Sequence, residues 1–135
     1  LFRGDMARTN TCYEADATTF DYRTAIEKEN WKNRIDYLSI DCEPPSVTFS
    51  ALKQFPFDDF RASVITFEHD RYKNGDVIMD ESREFLSDKG YVLVCKNVCN
   101  GMNPYEDWWV DPYVVKEDVY STFVCEDQEA RDIFI

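Results

Sequence analysis

The stretch IDYLSIDCEPPSVTFSALKQFPFDDFRASVITFEHD, residues 35–70, decides how this chain folds. It opens on the run 35–41, where apolar Ile35, Tyr37, Leu38 and Ile40 predict a β-strand. Pro44 and Pro45 end that strand, and Pro45 suits the first turn of a helix, where its missing N–H costs nothing. Phe49, Leu52 and Phe55 then recur at helical spacing until Pro56 stops the helix. The β-branched run 62–68, ASVITFE, predicts a second and buried strand. Strand, helix and strand in so short a span make the repeating unit of a sheet whose neighbours run parallel.

Working outward, residues 21–31 favour a helix, with Thr19 or Asp21 as its cap, and the preceding TCYEA reads as the end of another strand. Downstream, 76–89 places Ile78, Ser82, Phe85 and Leu86 on one helical face before Gly90 stops it. Residues 91–98, YVLVCKNV, predict a third strand; the loop CNGMNPYE and a further strand at DWWV follow. No helix separates these last two strands, so they are expected to pair antiparallel. The tail from 116 to 135 is expected to be helical. The fold class is therefore α/β, a mostly parallel sheet with a C-terminal antiparallel hairpin, in a single domain over 1–135 without repeat or linker.

The bulk numbers narrow the function. Fifteen Lys and Arg stand against 27 Asp and Glu, a net charge of −12 over 135 residues. That field repels nucleic acid and anionic membrane surfaces, so neither is an expected partner. No apolar run is long enough for a membrane span and no signal peptide is visible. The first residue is Leu, which reads as an excised piece. The cysteines Cys12, Cys42, Cys95, Cys99 and Cys125 are odd in number, and two lie in strand-like runs, which predicts reduced thiols and a cytoplasmic location. The C-x3-C spacing of Cys95 and Cys99 has no second pair, so no metal site is expected there.

In open α/β sheets ligands collect at the carboxyl ends of the strands. Two such ends are polar here: Asp41-Cys42-Glu43 and Glu68-His69-Asp70. Neighbouring strands would bring them within about 5–10 Å. Crowded acids raise at least one carboxyl pKa, and His69 titrates near neutral pH, so Asp41, Glu43, Glu68 and His69 are the candidate catalytic residues. The same acids serve equally well as helix caps. Asp16-Ala17 presents a further acid, which could meet a ligand or cap the helix at 21–31. Of Trp108 and Trp109, one is expected in the core and the other beside a pocket.

The strings IDYLSIDCEPPSVTFSALKQFPFD, VITFEHDRY, SREFLSDKGYVLVCKNV and EDWWVDP, in that order, resemble the C-terminal part of FkbM-type methyltransferases over about residues 13–115. The resemblance implies a Rossmann-like class I methyltransferase sheet lacking its first strands, and S-adenosylmethionine-dependent O-methylation of a small molecule or glycan. It implies that Asp16 and Ala17 meet the adenine and that Asp41 borders the methyl-transfer site, with Glu68 and His69 ending the next strand. The chain departs from the family where Asp41-Cys42-Glu43-Pro44 stands in place of Asp-x-Glu-Gly, and no glycine-rich turn precedes Asp16. Two other readings stand beside this one: a non-catalytic domain that binds or pairs with a second copy through a sheet edge, and a metal-dependent hydrolase using Asp41, Glu43 and His69.

Overall fold

The run at 35–41 is a strand because its β-branched and aromatic side chains fit a pleated surface, and residues 62–68 extend the same logic to a fully covered position. The computed structural model describes residues 15–134. In it these runs are β1 (Arg34–Ile40) and β2 (Arg61–Glu68), adjacent and parallel, with Ile40 beside Phe67. The helix between them, α2 (Pro45–Gln54), carries Pro45 in its first turn and ends just before Pro56, as proline geometry requires. The earlier helix, α1 (Tyr22–Lys28), is capped by Asp21, whose side chain accepts from the Thr24 N–H.

After β2 the chain makes one unforeseen turn of helix, α3 (Arg71–Asn74), then α4 (Val77–Asp88), then β3 (Val92–Asn100) and β4 (Asn103–Val110). Gly90 leaves α4 with φ near +82°, a region that only glycine enters freely. The expected antiparallel hairpin is present, but its connection is only Gly101-Met102 and not a loop of eight residues. Both residues have positive φ, the geometry of a tight primed turn. Met102 is a side chain held in that glycine region, so Met102→Gly is expected to raise stability by about 0.5–1 kcal/mol in thermal unfolding; an unchanged or lower midpoint would contradict a strained turn.

The sheet order is β1-β2-β4-β3-β5, where β5 (Cys125–Glu126) pairs parallel with β3. β4 folds back between β2 and β3 and is antiparallel to both; among the described strands it alone runs against the rest. The sheet is thus open and mixed. Its main core lies on the helical face, where Leu52, Ile65, Phe67, Leu86 and Trp109 are buried together. The opposite face carries a smaller cluster around Val94, Cys95, Val98 and Val110, packed by the tail. The expected helix at 116–135 is corrected. That segment holds one helical turn, α5 (Glu117–Tyr120), two short 3-10 turns and β5. The segment is held by backbone bonds to β3, such as Asp127 N–H to Lys96 O, which a continuous helix would forgo. TCYEA lies outside the described residues except for Ala15. Among the described residues no helix is long and apolar enough to cross a membrane.

Candidate functional site

Because β1 and β2 are parallel neighbours, their carboxyl ends open on the same edge of the sheet. The tip of the β3–β4 hairpin meets them there, with Glu106 directly opposite Glu68. A crevice of about 440 Å³ results, lined by Glu68, Asp70, Tyr72, Asn100, Asn103 and Tyr105. Asp41 and Glu68 follow the paired Ile40 and Phe67 and so stand side by side at this edge. Oxygens of Glu43, Glu68 and Asp70 lie within 4.8 Å of one another, the set among the described residues that could meet on a single cation.

The carboxylates of these acids do not cap helix starts. α2 has Pro44 at its N-cap and α3 has Asp70, and neither helix start receives a side-chain capping bond. The acids instead share one lysine. Lys73 Nζ stands 3.2 Å from Asp70 Oδ2 and 3.6 Å from Glu43 Oε1. Among the described residues no Lys or Arg pairs with Glu68, which stands beside Asp41, Asp70 and Glu106. Partial burial, then the Asp41 charge and the hydrogen bond with Asp41, push the Glu68 pKa up to about 8. Burial followed by the Glu106 and Glu68 charges raises the Tyr105 hydroxyl to about 12, so it stays a hydrogen-bond donor at neutral pH.

His69 does not join them. It is fully buried, and its Nδ1 accepts from the Arg71 N–H at 3.1 Å. Successive strand side chains point to opposite faces, so a strand end that aims Glu68 at the crevice turns His69 under the helices. There Nε2 lies 3.4 Å from Asp107 Oδ1, near enough for charge attraction when the ring is protonated but without full hydrogen-bond geometry. Asp107 is held chiefly by Arg83, at 2.7 and 2.9 Å, and accepts from the Asn97 N–H at 2.8 Å. The expectation of His69 as an accessible base is therefore corrected: it belongs to a buried polar network.

Asp16 and Ala17 are also placed apart from the crevice. Ala17 O accepts from Gln54 Nε2 at 3.0 Å, beside the last turn of α2, whereas Asp41 lies next to that helix's first turn. The Asp16 carboxylate accepts from the Thr18 N–H and hydroxyl, a local turn that holds its pKa low. Of the residues that the resemblance assigns to S-adenosylmethionine, Asp41 follows Ile40 and so stands beside Glu68, whereas Asp16 and Ala17 lie by the last turn of α2. Of the tryptophans, Trp109 is buried in the helical core and Trp108 lines an apolar cleft of about 390 Å³ beneath the tail.

Tyr72, Lys73, Asn100, Asn103, Tyr105 and Glu106 were not foreseen. The signal for the hairpin pair was Gly101, a residue suited to the positive φ of a tight turn, which leaves Asn100 and Asn103 paired at the crevice edge. Nothing local marks Lys73 or Tyr72, which depend on the helical turn α3. No family model matches this chain, and no curated protein or solved structure is found to match it.

Proposed function

We propose that the chain is the acceptor-side part of an S-adenosylmethionine-dependent methyltransferase fold, in which Glu68 takes the proton from a hydroxyl of a small molecule or glycan. The observation that carries this reading is the meeting of Asp41 and Glu68 at the ends of two adjacent parallel strands, with the Glu68 pKa near 8. A base poised close to the working pH combines enough ionised form with enough proton affinity. An acceptor hydroxyl in the crevice would donate to ionised Glu68, and proton passage to Glu68 Oε would leave a nucleophilic oxygen. Asn100, Asn103 and the Tyr105 hydroxyl line the same crevice and would fix the orientation of the acceptor, which is where much of the rate gain in group transfer originates. The methyl donor, when bound, supplies an electrophilic methyl on a sulfonium, and a cation suits an acid-lined edge. The α/β order and the terminal hairpin support the same reading.

A second reading is favoured by two observations. Asp16 and Ala17 stand away from the crevice, and β1 is an end strand with no partner on its outer edge among the described residues. On that reading the domain is non-catalytic and binds, or pairs with a second copy, through the β1 edge. Calorimetric titration of the whole chain with S-adenosylmethionine separates the two. Dissociation constants in the micromolar range are expected for a methyltransferase. No heat of binding, together with a dimer in sedimentation, would replace it with the second reading.

A further inference from the structure

β3 and β5 pair in parallel with Cys95 directly opposite Cys125. Directly opposed residues on adjacent strands project to the same face, and their separation falls within the range that a disulfide spans. Both thiols are free, and Cys95 Sγ donates to Phe123 O at 3.2 Å. β5 is only two residues long, yet it anchors the tail segment whose Val119, Phe123 and Phe134 roof the apolar cleft. The remaining described cysteines are elsewhere. Cys42 follows β1, across the sheet, and Cys99 sits toward the hairpin tip with its thiol on Asn97 O.

We propose that Cys95 and Cys125 are a modification site, a vicinal thiol pair that a low-molecular-weight disulfide such as oxidised glutathione converts to an intramolecular disulfide fastening the tail to the sheet. Cys125 is partly exposed and is the point of entry; Cys95 is 1% exposed. The Cys125 thiolate attacks one sulfur of oxidised glutathione, breaking its S–S bond and releasing one glutathione thiolate. Cys95 then gives up its proton to solvent, and its sulfur displaces the second glutathione thiolate from Cys125. Each released thiolate takes up a proton, so two protein thiols are oxidised as one glutathione disulfide becomes two glutathiones. Burial, followed by the hydrogen bond with Cys125, raises the Cys95 pKa, which disfavours Cys95 as the first attacker and suits it to the second, intramolecular step.

The bond would close a loop of roughly thirty residues, shifting the unfolding equilibrium on the order of a hundredfold toward the folded state. The test is to incubate the whole folded chain with oxidised glutathione, block remaining thiols and digest with trypsin. Cys95 falls in peptide 90–96, Cys125 in 117–131, Cys99 in 97–116, Cys42 in 35–53 and Cys12 in 9–23, so every pairing is distinguishable by mass. The expected result is loss of two hydrogens, a linked 90–96/117–131 pair, and a denaturant midpoint that rises on oxidation and returns with reductant. Cys125→Ser, at a partly exposed position, should keep the reduced fold and leave peptide 90–96 unmodified. A stable glutathione adduct on 117–131, links spread over 35–53 or 97–116, or untouched thiols would each overturn the proposal.

Discussion

Glu68→Gln is expected to remove a fall in stability between about pH 4.5 and 8 and, under the proposed function, to lower methyl transfer by about 10²–10⁴-fold. The folded chain holds the Glu68 proton up to about pH 8, whereas a carboxyl freed by unfolding loses it near 4.5. Between those values the unfolded state binds fewer protons than the folded one, so rising pH favours unfolding. The contribution is fully present below 4.5 and is lost as pH climbs through 8. Glutamine keeps the shape and can still donate to Asp41, but it never ionises. The variant should therefore match the parent near pH 5 and exceed it in denaturant midpoint at pH 9. Transfer by the parent should rise with pH toward a plateau above 8, because only the ionised carboxylate accepts a proton. A parent midpoint that is flat from pH 5 to 8, or a variant that keeps the parent's slope, would remove Glu68 from its assigned position against Asp41.

Asp107→Ala is expected to cost about 3–5 kcal/mol, a large share of the stability of a domain of this size. Asp107 is fully buried, and Arg83 holds both its oxygens. Without the carboxylate, the half-buried Arg83 guanidinium loses its hydrogen-bonded counter-charge, and the Asn97 N–H loses its acceptor. Burial alone would raise the Asp107 pKa, but the close approach of His69 and the bonds from Arg83 outweigh it and hold the pKa below the usual 3.8. For a carboxyl so depressed, the stabilisation is present above 3.8 and is lost as pH falls through the lower folded value. Acid unfolding should thus begin below that point in the parent. Arg83→Met, with Asp107→Ala in a double-mutant cycle, should show strong coupling, since each single change strands the other partner. Additive effects would mean that the two side chains do not share one network.

Much of the architecture was legible from residues 35–100 because local rules act there. Alternating apolar and β-branched runs marked β1, β2 and β3, Pro45 and Pro56 bracketed α2, and Asp21 and Gly90 ended helices, each through sterics or hydrogen bonds within a few positions. The convergence of Asp41 with Glu68 was likewise readable, since a short strand–helix–strand unit leaves its two strands parallel and their carboxyl ends on one edge.

What local reading missed lies on the long-range side. The tail was expected to be helical, but two residues pairing with β3 decide its path. His69 was grouped with Glu68 because they are adjacent in sequence, whereas strand parity sends one to the crevice and the other under α4. Thus the amino-acid sequence by itself determined which segments are strands and helices and which polar groups stand at their ends. Only the tertiary structure decided that Lys73 answers Glu43 and Asp70 but not Glu68, that Arg83 claims Asp107, and that Cys95 faces Cys125. Those outcomes depend on strand order and on which face each side chain takes, quantities set by packing between segments far apart in the chain.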